Sequence, residues 1–182
     1  MSVTFQHTEY LSPDSNHWIA NIQEVFMPVF EILPREAIGP ARLGASREAA
    51  REAMSVNGFP LKHTHGRLDY FCGSSIQLEY DAGGEVQFIG VSGSSRFNVM
   101  YRGVDVFAVS STELFPLIAA SDDSGPHEFD HYEYLFPSQI LTLWDADEQY
   151  DRQGGEEREV WGQVGIGNDT YMAAISGYEN QA

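Results

Sequence analysis

Apolar residues recur at helical spacing in three stretches of the chain. The first follows Ser12-Pro13-Asp14, an order of residues typical of a helix N-terminus. The second is an alanine-rich stretch preceded by Ser46, and the third begins where Ser110 and Glu113 have the spacing of a capping box. The sequence therefore predicts helices over about 13–27, 46–56 and 110–120.

Elsewhere apolar and polar residues alternate, which is the period of a strand with one buried face. The alternation is clearest on either side of Ala82-Gly83-Gly84, a glycine-rich segment typical of a hairpin turn. We expect strands over 29–33, 69–72, 75–81, 85–91, 97–101, 104–109, 132–136, 139–145 and 158–166, with a further candidate at 171–175. This pattern predicts an α+β fold with the helices packed on one face of antiparallel sheet.

The two halves of the chain also resemble each other. Residues 43–82 align with 107–146 at a constant offset of 64, which pairs Ile76 with Ile140. The offset then lengthens to 74, so the second copy carries an insertion at about 147–156 that we expect to be an exposed loop. The sequence predicts one compact domain made of two similar helix-plus-antiparallel-sheet units, at about 43–104 and 107–175, after an N-terminal helical segment at about 12–28.

Composition limits where the protein works. A chain of 182 residues with 42% hydrophobic residues can fill a core of its own. Its one cysteine, Cys72, excludes an internal disulfide, and no secretory leader or apolar run of membrane-spanning length is evident. We expect a bacterial-type cytoplasmic protein that does not bind membranes and needs no cofactor. The sequence leaves its oligomeric state open.

The two halves of the chain differ strongly in net charge. The chain has 27 acidic and 10 basic residues, and 16 of the acids but only 2 of the bases lie in residues 105–182. Such a surface repels nucleic acid and attracts a basic protein through long-range electrostatics. An acidity that serves only solubility or salt adaptation is the alternative.

Four histidines suggest one metal site. His63 and His65 lie between helix and strand in the first unit, and His127 and His131 lie in the equivalent segment of the second. If these segments converge, they could bind zinc or nickel. Otherwise the histidines face solvent.

An acidic stretch suggests a second metal site. Oxygen-bearing side chains in residues 145–156 have the spacing of a calcium-binding EF-hand loop, and they include Asp145, Asp147, Asp151 and Glu156. Tyr150, however, stands where that loop needs glycine. Residues on either side are predicted strands rather than helices. A calcium-binding protein or metal-dependent enzyme is therefore the alternative reading.

Aromatic residues near the same stretch suggest a protein-binding site. Tyr150 and Trp161 lie in or beside it, and aromatic rings among acids are typical of a surface that binds a basic protein. We expect Trp144 to pack on the sheet, as its counterpart Tyr80 does. No set of catalytic residues emerges from the sequence. The predicted partner-binding residues are Asp147, Glu148, Tyr150, Asp151, Glu156, Glu157 and Trp161.

Two short segments carry a family resemblance. Residues 38–48, which contain Leu43-Gly44-Ala45-Ser46 at a helix start, and residues 76–86, which end in an aspartate turn, resemble a pattern found in bacterial toxin-immunity proteins. The tandem layout is similar to that of the β-lactamase inhibitor protein, whose concave sheet binds an enzyme. The resemblance implies a non-enzymatic inhibitor, most simply an immunity protein that neutralises a basic toxin.

Overall fold

Antiparallel strands dominate the computed structural model, which describes residues 27–146, 149–153 and 156–179. Its helices are α1 (Arg47–Val56), α2 (Ser111–Ala119) and α3 (Asp169–Glu179). Its strands are β1 (Val29–Leu33), β2 (Ala37–Ile38), β3 (Ala41–Arg42), β4 (Leu61–His65), β5 (Leu68–Phe71), β6 (Ile76–Tyr80), β7 (Val86–Val91), β8 (Asn98–Tyr101), β9 (Val104–Asp105), β10 (Glu133–Phe136), β11 (Leu141–Trp144), β12 (Tyr150–Gln153), β13 (Glu156–Glu159) and β14 (Gln163–Gly167). The N-terminal helix predicted over about 13–27 falls, but for its last residue, outside the described part of the chain.

The largest sheet has seven antiparallel strands in the order β10-β11-β14-β7-β6-β5-β4. It consists of two three-stranded meanders that meet where β7 pairs with β14, and β4 extends one of them. A second sheet has the order β3-β2-β1-β8-β9, with β1 and β8 parallel, while β12 and β13 form a separate hairpin. The predicted α+β fold is confirmed.

One hydrophobic core joins both sheets to the first two helices. Met54 of α1, Leu114 of α2 and Ile89 of β7 all belong to it. On the opposite face of the seven-stranded sheet, Tyr171 of α3 stacks on Phe88 with the ring centroids 4.6 Å apart. Because neighbouring strand residues point to opposite faces, α3 lies across the sheet from α1 and α2. The predicted helices α1 and α2 therefore share one face of the sheet, and α3, where the sequence predicted a strand, covers the other.

Serine caps explain where α1 and α2 begin. The hydroxyl of Ser46 accepts a hydrogen bond from the N–H of Ala49 at 3.3 Å. At the start of α2, the carboxylate of Glu113 accepts from the N–H of Ser110 at 3.0 Å, as the predicted capping box requires. Sequence spacing was therefore sufficient to place both helices.

The last predicted strand is wrong, because residues 171–175 belong to α3. The side-chain oxygen of Asn168 accepts a hydrogen bond from the N–H of Tyr171 at 3.0 Å. This asparagine cap, with Asp169 in the first helical turn, favours a helix over a strand. Within the described part of the chain, no helix combines the length and apolar character that crossing a membrane requires.

The ungapped alignment of the two units is wrong by one residue in the hairpins. Phe71 pairs with Ile76 across the first hairpin, and Phe136 pairs with Leu141 across the second, so the hairpins match at an offset of 65. Ile140 lies in a turn with φ +45 and is not equivalent to Ile76. A helix followed by a three-stranded meander does occur twice, but a repeat of whole units is not confirmed, because within the described residues β4, β8 and β9 lack counterparts in the second half.

Candidate functional site

Three large aromatic side chains are exposed at one end of the seven-stranded sheet. Tyr132, Trp144 and Tyr150 have 60%, 43% and 58% of their surface exposed. The ring centroids of Tyr132 and Trp144 lie 6.5 Å apart. We call these three residues the aromatic patch. Exposed rings of this size favour contact with another molecule, since aromatic residues are enriched at protein interfaces.

The sheet holds two of these rings in place. Trp144 is the last residue of β11 and follows Leu143, which points into the core, so its ring faces the other side of the sheet. Glu133 lies directly opposite it on β10. The chain leaves β11 at Asp145, whose N–H donates to the carbonyl oxygen of Tyr132 at 2.6 Å. Backbone hydrogen bonds thus preorganise the aromatic patch.

Hydrogen bonds at the base of the β12–β13 hairpin fix the strand pair that carries the third aromatic residue, Tyr150. Tyr150 pairs across the hairpin with Glu159. The carboxylate of Glu159 accepts from the hydroxyl of Ser111 at 2.7 Å and lies 3.0 Å from Nδ1 of His131. His131 directly precedes Tyr132 in the chain. The base of the hairpin is therefore tied both to the start of α2 and to the aromatic patch.

The surroundings of the aromatic patch are strongly acidic. Residues 103–151 contain eleven aspartates and glutamates but no lysine or arginine. Glu128, Asp130 and Glu133, all exposed, lie in the segment that leads into β10 and at its start, and Glu157 is exposed on β13. The patch therefore lies in a region of negative potential, which attracts cationic partners.

The two tryptophans of this region show the opposite exposure to that predicted from the sequence. Trp161, expected at the surface, is only 1% exposed and packs near Phe129 with the ring centroids 5.9 Å apart. Trp144, expected to pack on the sheet as Tyr80 does, is the exposed tryptophan. The prediction that Trp161 lies at the surface is therefore wrong, and so is the prediction that Trp144 packs on the sheet. The predicted exposure of Tyr150 is confirmed.

The acidic residues predicted to bind the partner lie on or beside the hairpin. Asp151 is on β12, and Glu156 and Glu157 are on β13. Asp147 and Glu148 lie outside the described residues. The described residues of the insertion, 149–153 and 156, thus lie mostly in paired strands, where the sequence predicted an exposed loop. Sequence reasoning missed Tyr132, although its place before a strand and among acids was a usable signal.

The two pairs of histidines do not converge. His63 and His65 are exposed on β4, which forms one edge of the sheet, whereas His127 and His131 lie next to β10 at the other edge. Six strand spacings of ~4.8 Å separate these edges by roughly 29 Å. A shared site for His63, His65, His127 and His131 is therefore excluded by the order of the strands.

The calcium loop predicted over 145–156 is not formed either. Tyr150 to Gln153 and Glu156 to Glu159 are paired antiparallel strands, so Asp151 and Glu156 belong to an extended ladder and not to a loop wrapped around an ion. The side chain of Asp145 lies 3.4 Å from the amide nitrogen of Gln149. Among the described residues, no group of three or more histidine, cysteine, aspartate and glutamate side chains could hold a metal ion.

A cavity of about 450 Å³ opens beside α2. One wall is the surface of the helix and the other is the segment that precedes β10. The cavity is lined by Thr112, Phe115, Pro116, Ala119, His127 and Phe129. The rings of Phe115 and Phe129 meet edge to face with their centroids 5.3 Å apart.

The wall of this cavity contains one almost fully buried polar side chain, that of His127. Its side chain is 6% exposed, and its Nδ1 shares a hydrogen bond of 3.0 Å with the hydroxyl of Tyr134. Its Nε2 lies 3.4 Å from Oδ1 of Asp122 but makes no hydrogen bond. The cavity wall therefore keeps a buried nitrogen without a hydrogen-bond partner.

Asp122 behind this histidine is ionised. Burial opposes its charge, but the hydroxyls of Ser124 and Ser138 and the N–H groups of Ser124 and Gln139 donate to it, and together they lower the pKa of Asp122 to about 2. The Ser124 and Gln139 N–H groups donate at 3.0 Å each. A fixed negative charge therefore lies next to the cavity.

Comparison of the chain with protein-family models, with curated proteins and with solved structures gives no match.

Proposed function

We propose that this protein binds a basic protein through the aromatic patch and the acidic residues around it, and inhibits that partner. The observation that carries the proposal is the exposed pair of Tyr132 and Trp144, held by the sheet at the acidic end of the molecule. Large rigid rings contribute most to binding when an interface buries them, and they lose little conformational entropy in doing so.

The charge distribution supports a basic partner in particular. Residues 103–151 contain eleven acids and no base, and although Arg158 of β13 acts on Glu113, the excess of acids produces attraction over about a Debye length, which is ~8 Å at physiological ionic strength. This attraction accelerates association, and the aromatic patch then slows dissociation. The two features therefore act on different rate constants and can be tested separately.

Inhibition is the outcome that fits such a surface best. A protein that acts on nucleic acid has a basic active surface, and carboxylates can take the place of phosphates on it. The resemblance to toxin-immunity proteins points to the same class of partner, a basic toxin such as a nuclease. Binding that covers the active surface prevents the substrate from reaching it.

The experiment starts by recovering the partner with tagged protein from the source cell and then measures binding of the purified partner. Trp144→Ala should raise the dissociation rate about 30-fold or more, because loss of a central anchor costs about 2 kcal/mol. The matched control is Tyr70→Ala, which removes a half-buried ring that stacks on His63 near the far edge of the same sheet. That variant should bind like the wild type.

An activity assay then tests inhibition. The partner's activity should be suppressed by the wild type and by Tyr70→Ala, and should recover with Trp144→Ala at the same concentration. Equal dissociation rates for the wild type and Trp144→Ala would remove the aromatic patch from the interface. Tight binding without any loss of partner activity would leave a binding protein that is not an inhibitor.

A further inference from the structure

The cavity beside α2 has the size of a ligand site. Its volume of about 450 Å³ lies within the range of ~300–1,000 Å³ that is typical of small-molecule sites. Two phenylalanine rings, a proline and an alanine provide most of its walls. Phe129 lies two residues before His131, which is bonded to the base of the hairpin, so the cavity lies on the α2 side of the sheet edge whose other side carries Trp144.

The charge around the cavity indicates which class of ligand it can bind. The whole cavity is built from residues 112–129, inside the stretch that contains no lysine or arginine. The ionised carboxylate of Asp122 lies behind His127 at 3.4 Å. An aromatic cavity in a negative environment favours an organic cation, because ring faces attract cations and the surrounding carboxylates add to that attraction.

His127 and Asp122 together set the polarity of the cavity wall. Nε2 of His127 lies 3.4 Å from the ionised carboxylate of Asp122, which favours a proton on Nε2, and Nδ1 then accepts a hydrogen bond from the hydroxyl of Tyr134. A guanidinium group has five N–H donors, a flat face that stacks on aromatic rings and a weakly held hydration shell. It can therefore stack on the aromatic walls while its charge lies near the ionised carboxylate of Asp122.

We propose that this cavity receives an arginine side chain of the partner. The inference rests on the proposed function, since it supplies the basic residue that the acidic surface would bind. An ammonium group is a poorer occupant, because it keeps its water more tightly and offers no flat face to Phe115 and Phe129. The arginine fills the cavity with its aliphatic stem and places its charge beside His127.

The test uses a small probe and does not need the partner. N-acetyl-L-arginine methylamide should cause saturable chemical-shift changes at Thr112, Ala119 and Phe129 in the full chain. The citrulline analogue, which has the same shape without the charge, should bind about 2- to 30-fold more weakly, as expected for loss of a cation–π contact. The ring nitrogen signals of His127 should shift with the arginine probe.

Two leucine variants provide a matched pair. Ala119 lines the cavity, whereas Ala120 is its exposed neighbour at the end of α2. Ala119→Leu should fill the cavity and abolish the saturable shifts, and Ala120→Leu should leave them unchanged. Leucine is a strong helix former, so both variants keep α2. Circular dichroism melting of each variant confirms that it is folded.

Several results would overturn the inference. Equal affinity for the arginine and citrulline probes would show that charge is not recognised, and shifts confined to Trp144 and its neighbours would place the probe elsewhere. If the arginine probe enters the cavity but Ala119→Leu leaves the partner's dissociation rate unchanged, the partner's arginine does not lie there. In each case the proposed function is still tested separately, by the partner's dissociation rate from the Trp144→Ala variant. Failure of the arginine site and failure of the proposed function are therefore distinguishable.

Discussion

Arg51 donates two hydrogen bonds to the carboxylate of Asp69, from Nε at 2.7 Å and from Nη2 at 2.9 Å. Arg47 donates two more, at 3.1 and 2.7 Å, and Thr64 donates from its hydroxyl at 2.6 Å. The carboxylate itself is completely buried. Two arginines of α1 are thus fixed to one residue of β5, which ties the helix to the sheet at the end of the molecule opposite the aromatic patch.

Asp69→Asn should therefore destabilise the protein more than other charge changes do. It removes the charge that compensates both arginines, and breaking a buried ion pair costs about 3–5 kcal/mol. Urea unfolding at neutral pH measures the change. The control is Glu36→Gln, which breaks an exposed pair with Arg42 and should change the free energy of unfolding by less than about 1 kcal/mol. Similar losses for both variants would contradict a special role for Asp69.

Low pH should reduce the free energy of unfolding partly through protonation of Asp122. Its pKa of about 2 in the folded protein lies below the ~3.9 of an unfolded aspartate, so its contribution is present above the unfolded value and is lost as the pH falls through about 2. That contribution is about 2–3 kcal/mol. Asp122→Asn should reduce the slope of unfolding free energy against pH between about 4 and 2. An unchanged slope would show that Asp122 titrates normally.

Burial alone would raise the pKa of Asp69, but the hydrogen bonds from Arg51, Arg47 and Thr64 hold it well below its usual range. Its contribution has the same sign as that of Asp122: it is present above the unfolded pKa and is lost as the pH falls toward the lower folded one. Asp69→Asn should therefore also flatten the acid limb of the stability profile. The effects of the two substitutions on the free energy of unfolding should add, because the two carboxylates share no hydrogen-bond partner.

We expect metal ions to leave the protein unaffected. The histidine pairs lie at opposite edges of the sheet, and the residues of the predicted calcium loop lie in paired strands. Elemental analysis should find no stoichiometric zinc, and millimolar calcium should not change the melting temperature. One tightly held metal per chain, or a calcium-dependent shift that disappears in Asp147→Ala, would contradict this expectation.

Local signals in the sequence were enough to place most elements. The serine caps of α1 and α2 and the glycine turn between β6 and β7 act over three or four residues, so spacing alone reveals them. The strand at 29–33 matched β1 to the residue. The sequence pattern did not predict β4, because all five of its residues are exposed and apolar and polar residues do not alternate along it.

Long-range relationships could not be obtained in the same way. A strand pattern shows which residues alternate but not which face another element covers, so it could not tell that Trp144 is exposed and Trp161 buried. The alignment at offset 64 matched the helix starts at Ser46 and Ser110. It then missed the extra residue before the second hairpin, and so it paired Ile76 with Ile140, a turn residue with φ +45. The cavity beside α2 depends on tertiary packing and left no signal in the sequence.

The acidic hairpin should control how fast the partner associates. Neutralising its carboxylates should lower the association rate at low salt and leave the dissociation rate nearly unchanged, because steering acts over distance while contacts determine residence time. The variant replaces the five predicted acids with their amides: Asp147, Glu148, Asp151, Glu156 and Glu157. Stopped-flow or surface-based kinetics at 0.05 to 1 M salt measure both rates.

A second five-site variant separates steering from total charge. It neutralises the same number of exposed acids in the first half of the chain, namely Glu31, Glu36, Glu48, Glu52 and Glu85. Both variants have the same net charge, but only the hairpin variant should associate slowly, and the difference should vanish at 1 M salt, where the Debye length is ~3 Å. Equal association rates for the two variants at low salt would mean that net charge alone attracts the partner and that the hairpin is only a solvated surface.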